Sequence, residues 1–208
     1  FGSNSLAALQ PLVRPKRCWM GGVVAPWASG PLRPSSVSCV LVPVFASAVS
    51  TGHFHTCGLD ITGTALCWGR NSYGETSPPN ATFTSVSAGW LHTCGVEVAG
   101  SVLCWGRNWE GQSAPPLEPE FRSVSAGGLH SCGVSGNGTV RCWGRNEYGQ
   151  GSPPTNVSFL AVSAGWFHTC GVDEDGRARC WGNNRHGEGS APAEVVFTAV
   201  SAGYRHSC

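Results

Sequence analysis

The sequence predicts an all-β fold assembled from a repeat of about 38 residues. Three observations carry the prediction. A histidine returns at His55, His92, His130, His168 and His206, in steps of 37, 38, 38 and 38 residues. A cysteine follows each histidine by two positions, at Cys57, Cys94, Cys132, Cys170 and Cys208, and a second one opens a Cys-Trp-Gly triplet at Cys67, Cys104, Cys142 and Cys180. The composition is rich in turn formers, with 29 glycines and 14 prolines, and poor in charge at 12%, unlike the Ala/Glu/Lys/Leu mixture of helical proteins.

Within one unit, FTSVSAG is short, β-branched and closed by Gly89, so it reads as a strand. WLHTCGV and SVLCWG read as two further strands, with Gly100 in the turn between them. Every copy carries turn residues there: Asp60 to Gly63, Glu97 to Gly100, Ser135 to Gly138 and Asp173 to Gly176. A hairpin centred on Ala99 sets Val96 opposite Val102 and Cys94 opposite Cys104. Cysteines opposed in the closer, non-hydrogen-bonded kind of pair lie at disulfide distance. The spacing therefore predicts one staple per hairpin: Cys57–Cys67, Cys94–Cys104, Cys132–Cys142 and Cys170–Cys180, each worth about 2–4 kcal/mol. Beyond the hairpin, Pro78-Pro79, Pro115-Pro116 and Pro153-Pro154 exclude a central strand and mark the crossing to the next unit. A unit of this size with three or four short strands is a propeller blade or a solenoid coil.

The pattern V-S-A-G-x-x-H-T-C-G-V…G…C-W-G-x-N-x-x-G-Q resembles the repeat of the regulator-of-chromosome-condensation superfamily, and the resemblance runs from Val49 to Cys208. It implies a seven-bladed β-propeller. The superfamily includes nuclear exchange factors, a secreted bacterial β-lactamase inhibitor and the ectodomains of Crinkly-type plant receptor kinases; the paired cysteines resemble the last group most. Residues 49–208 supply only about four of seven such blades, so a fragment is expected, with an open edge and a partner for Cys208 about ten residues further on.

Residues 1–48 form a non-repeat segment. Cys18-Trp19 looks like the repeat signature but lies 39 residues before Cys57, out of phase. Met20 is the only methionine, and Arg33, the apolar run VSCVLVPVF and Ala46-Ser47-Ala48 follow in the order of a secretory signal with a small-residue cleavage site. On that reading the mature chain starts near Val49. FASAVS also reads as a slipped copy of FTSVS belonging to the first blade, and a third reading takes the upstream residues as an artefact foreign to the mature protein.

The 11 cysteines point to an oxidising compartment. Three N-glycosylation acceptors, Asn80, Asn137 and Asn156, add to a secretory reading. A net charge of +1 gives no footprint for nucleic acid, and no run of eighteen apolar residues offers a membrane span. G-x-S-x-G, H-E-x-x-H and phosphate-loop motifs are missing, so no catalytic residue, metal or cofactor is expected. His and Cys two apart share a strand face, as metal ligands do, but each pair belongs to a different unit and its cysteine is engaged. Packing and hydrogen bonding are expected of these histidines, and inter-blade packing of Trp68, Trp105, Trp143 and Trp181.

The positions that vary between copies are more informative. One set is His53, Trp90, Gly128, Trp166 and Tyr204; another is Tyr73, Trp109, Tyr148 and His186. A propeller gathers equivalent loops in a ring on one face, and Trp and Tyr dominate binding hot spots. Tyr73, Trp90, Trp109, Tyr148, Trp166 and Tyr204 are thus the partner-binding candidates; packing on neighbouring blades is the alternative. Arg70, Arg107 and Arg145 recur while Asn183 breaks the series, and Glu75 and Glu188 offset the charge, so blade-to-blade hydrogen bonding is expected of the arginines. The expected function is extracellular, non-catalytic recognition of a protein or peptide, as in a receptor ectodomain. A catalytic domain elsewhere in a longer parent is compatible with that. A secreted enzyme inhibitor and an intracellular exchange factor for a small GTPase are the alternatives that the resemblance implies.

Overall fold

A computed structural model describes residues 48–117 and 120–208. Among them, four three-stranded antiparallel sheets follow one another along the chain: β1 (Ala48–Thr51), β2 (His55–Leu59) and β3 (Ala65–Gly69); β4 (Phe83–Ala88), β5 (His92–Glu97) and β6 (Val102–Gly106); β7 (Phe121–Ala126), β8 (His130–Ser135) and β9 (Val140–Gly144); β10 (Phe159–Ala164), β11 (His168–Asp173) and β12 (Ala178–Gly182). Each sheet is one blade of a partial propeller. The two earlier readings of residues before Ala48 as a signal or an artefact lie outside the described residues. In β1, Ser50 stands opposite Cys57 as Ser87 stands opposite Cys94 in the next blade, so the end of FASAVS is in blade register.

The hairpin has the centre that the spacing predicts. Val96 pairs with Val102 and Cys94 with Cys104. Gly100 N–H donates to Glu97 O at 2.9 Å and Glu97 N–H to Ser101 O at 2.8 Å. This three-residue loop needs a left-handed residue at its end, and Gly100 sits there at φ 86°, as glycine does in every copy. All four staples are formed, with Cα–Cα distances of 4.0 to 4.1 Å.

The core lies between blades rather than within them. Cys94, Val96 and Val102 of the second blade are buried against Phe121 and Ala126 of the third, with Trp143 packed at the edge. The same set recurs one seam earlier and one seam later. A three-stranded blade has two faces and no interior, so its apolar residues must be covered by a neighbour. Trp105, in such a seam, is 8% exposed, whereas Trp68 of the first blade, with no described blade beside it, is 54% exposed.

The Ser-Ala-Gly triplet, Ser50-Thr51-Gly52 in the first blade, joins the innermost strands. Ser50 Oγ accepts from Ala88 N–H at 2.9 Å, Ser87 Oγ from Ala126 N–H at 3.0 Å, Ser125 Oγ from Ala164 N–H at 3.0 Å and Ser163 Oγ from Ala202 N–H at 2.9 Å. The last bond brings in the start of a fifth unit, where Ala202 bridges to Ser207. Glycine closes the triplet because of a close approach: a Cβ at Gly89 would lie 2.4 Å from Gly127 O.

Candidate recognition face

Strand direction gives the blades two unlike ends. In each, the first strand ends at Ser-Ala-Gly (Ser-Thr-Gly in the first blade), the second starts at the histidine beside it, and the third returns to that end with Cys-Trp-Gly. The front therefore carries the residues after Ser-Ala-Gly and the loops after Cys-Trp-Gly. The hairpin turns and the starts of the first strands share the back, where Phe159 N–H reaches Gly138 O at 2.9 Å.

An open arc of backbone hydrogen bonds sets the front positions around the axis. His53 N–H donates to Gly89 O at 3.2 Å, Trp90 N–H to Gly127 O at 3.1 Å, Gly128 N–H to Gly165 O at 3.0 Å and Trp166 N–H to Gly203 O at 3.0 Å. Each bond joins a variable residue to the glycine of the following blade. The side chains converge on a hollow of about 400 Å³ at the axis. Trp166 is its centre: its ring lies 4.8 Å from Trp90, 4.8 Å from Tyr204 and 6.0 Å from His53. Gly128 is the seat of this indole, because a Cβ there would meet Trp166 Cδ2 at 2.9 Å.

The second variable set extends the surface outward. Tyr73 and Trp109 meet edge to face at 5.5 Å, and Tyr148 meets Phe167 at 5.4 Å. Phe167 is 6.1 Å from Trp166 and joins both parts. Arginines bridge the remaining gaps: Arg107 lies over Trp90 at 5.1 Å and Trp109 at 4.0 Å, Arg70 over Phe54 and Tyr73, and Arg185 over Tyr148. Tyr73, Trp109, Tyr148 and Tyr204 are exposed, while Trp90 and Trp166 are half-buried in the cluster. Packing and exposure thus coexist.

Behind this surface His55, His92, His130 and His168 are sealed in the seams, while His206 of the fifth unit is exposed. His55 Nε2 is 2.7 Å from Thr93 Oγ1, His92 Nε2 2.8 Å from Ser131 Oγ and His130 Nε2 2.8 Å from Thr169 Oγ1. The hydroxyls pass their own protons to a backbone carbonyl of the preceding blade: Thr93 to Glu75 O at 3.1 Å and Ser131 to Gln112 O at 3.0 Å. Trp105 and Trp143 donate their indole N–H to the same two carbonyls. Among the described residues, no group of three or more His, Cys, Asp or Glu is placed to hold a metal ion.

The sequence profile described as "Regulator of chromosome condensation (RCC1) repeat" matches residues 46–75, 83–112, 121–150 and 159–188, one match per blade. The chain belongs to the RCC1 repeat family. No curated protein sequence gives a significant match. Among solved structures, the entire ectodomain of the Physcomitrella patens receptor kinase CR4 is 33% identical, with a TM-score of 0.66, over 79% of this chain and 47% of that one. The CRINKLY WD40 ectodomain of the Arabidopsis thaliana receptor kinase ACR4 is 31% identical, with a TM-score of 0.65, over 79% of this chain and 59% of that one. Prp20p from Saccharomyces cerevisiae, whose binding to Gsp1p and histones is described with its structure, is 19% identical with a TM-score of 0.67 over 79% and 55%; it shares the fold. The chain spans about half the length of the structures it matches.

The RCC1 repeat alone does not convey what the arginines and acids do. The expected blade-to-blade hydrogen bonds of Arg70, Arg107 and Arg145 are not what their side chains form: Arg70 and Arg107 stack on front-face rings and Arg145 pairs with Glu147 in its own loop. A planar guanidinium gains from such stacking. Glu75 and Glu188 are buried, and their role is local: Glu75 Oε2 accepts from Tyr73 N–H at 2.7 Å and Glu188 Oε2 from His186 N–H at 2.7 Å. Gln112 and Gln150 do the same in the other blades. The interchange of Glu and Gln at this position was the legible sign that an oxygen, not a charge, is common to all copies. Phe54 and Phe167, one place after the variable set, also join the face and were not singled out from the sequence. The acceptors Asn80, Asn137 and Asn156 are exposed and lie at the back, before β4, in the β8–β9 turn and before β10.

Proposed function

We propose that this RCC1-type chain is an extracellular, non-catalytic recognition domain that binds a protein or peptide through its front face, in the manner of a receptor ectodomain. The observation that carries the reading is the continuous aromatic and arginine surface around the axis. Rigid, amphipathic Trp and Tyr rings supply contact area at little entropic cost. The four cystines, the three acceptor asparagines at the back and the two receptor-kinase ectodomains support the compartment. No helix among the described residues is long and apolar enough to cross a membrane.

The test uses the full chain, secreted from a eukaryotic host and panned against a displayed random-peptide library. A triple variant, Trp90→Ala, Trp109→Ala and Trp166→Ala, is expected to lose at least about tenfold in affinity for selected peptides while still melting in a cooperative transition. Unchanged affinity in that variant would refute the front-face reading. Material from the same host is expected to lose mass on N-glycosidase treatment.

A further inference from the structure

At the position directly after Cys-Trp-Gly, comparison of the four equivalent loops isolates one cation. In the first blade, Arg70 Nε stands 3.7 Å from Glu75 Oε1. In the third, Arg145 pairs with Glu147, and in the fourth the position is Asn183. In the second, the place of Glu75 is taken by Gln112, and Arg107 has no ion-pair partner among the described residues. Its Nε is buried without a hydrogen-bond partner. The guanidinium is nevertheless fixed, clamped between Trp109 at 4.0 Å and Trp90 at 5.1 Å, and Trp90 also lines the axial hollow.

We propose that Arg107 is the carboxylate anchor of the front face, and that the ligand is an acidic peptide segment placing an Asp or Glu on Arg107 and a neighbouring apolar side chain in the hollow beside Trp90 and Trp166. The inference rests on the reading of this face as a protein-binding surface. A guanidinium presents a planar fork that matches a carboxylate in two parallel hydrogen bonds. Immobilising that fork on two indoles before the ligand arrives removes most of the ordering cost of binding. Extended chain advances about 3.3–3.6 Å per residue, so an acid and an apolar residue within about three positions of each other can reach both places.

The repeat itself supplies the decisive variant. Glu110 N–H donates to Gln112 Oε1 at 2.9 Å just as Tyr73 N–H donates to Glu75 Oε2 at 2.7 Å, so the slot accepts Glu. Gln112→Glu gives Arg107 the internal carboxylate that Arg70 has, without touching an aromatic ring. Peptides selected on the full chain, resynthesised with amidated C termini, are expected to carry Asp or Glu near an aromatic or aliphatic residue. Their affinity is expected to fall about tenfold or more with both Arg107→Gln and Gln112→Glu. Arg107→Lys, which keeps the charge and loses the fork, is expected to bind between wild type and Arg107→Gln. Selected peptides that lack acids and bind equally to Arg107→Gln and Gln112→Glu, but lose affinity in the Trp90/Trp109/Trp166 variant, would overturn this inference and leave the recognition reading standing. Failure to select any peptide, or selected peptides insensitive to the tryptophan substitutions, would overturn both.

Discussion

At His92 the chemistry of one side chain is set by the blade that follows it. Ser131 Oγ has committed its proton to Gln112 O, so His92 Nε2 must be the donor to that hydroxyl. Nδ1 is then a bare acceptor, buried without a partner. Adding a proton there would bury a cation with nothing to receive it. Burial, with neighbouring His130 and His55 adding repulsion, pushes His92 down to about 3; burial and His168 push His130 down to about 4. An unfolded histidine titrates near 6.5, so at neutral pH both states are uncharged. As pH falls from about 6.5 toward 4, the unfolded chain takes up protons that the native seam refuses. Each histidine then removes about 1.4 kcal/mol of stability per pH unit, about 2 kcal/mol by pH 5. The melting temperature is expected to drop steeply between pH 7 and pH 5, and His92→Gln to flatten part of that slope. A melting profile without pH dependence in this window would mean that the histidines are not sealed.

At the scale of the hairpin, the staple and the turn act together. Cys94 is fully buried in the seam with Phe121, so the disulfide both closes a short loop and fills part of the inter-blade core. Replacing Cys94 and Cys104 by Ser is expected to cost about 2–4 kcal/mol in urea unfolding. A change under about 1 kcal/mol would show that the remaining packing holds the hairpin unaided. This element was fully legible from residue spacing, because turn, register and cystine all lie within one short stretch. The seams were not. Ser87 meets Ala126 and His92 meets Ser131 across 39 positions, and a repeat says that each residue has equivalents, not which equivalent it touches. Gly128 illustrates the loss: read along the chain it is a missing aromatic, whereas in space it is the platform on which Trp166 lies. The clustering of Trp90, Trp166 and Tyr204 could be anticipated from their shared position, but the stacking of Arg107 between Trp90 and Trp109 could not, because it joins two loops of one blade that are distant in sequence.

For the whole molecule the governing feature is the contrast between its ends. The aromatic front and the back with Asn80, Asn137 and Asn156 make the expected glycans and the expected ligand independent of each other. A sequon moved to the front tests this. Glu110→Thr completes an acceptor at Asn108, beside exposed Trp109. Glycosylated Glu110→Thr protein is expected to lose peptide binding and regain it on N-glycosidase treatment, while enzymatic removal of native glycans leaves affinity unchanged. Binding that survives a glycan at Asn108 would move the ligand off this face.

Each repeated bond across a seam also keeps one sense. The serine of a blade always accepts from the next blade's alanine, its variable residue donates to the next glycine, and its histidine donates to the next hydroxyl. The contacts are therefore those of a head-to-tail filament drawn within a single chain. Such a filament has interchangeable links: duplication of one unit brings a complete new junction with it, whereas no unit can be inserted reversed. Change in this protein is thus free to act on the number and order of blades and on the front-face residue that each one carries, while the joints stay as they are.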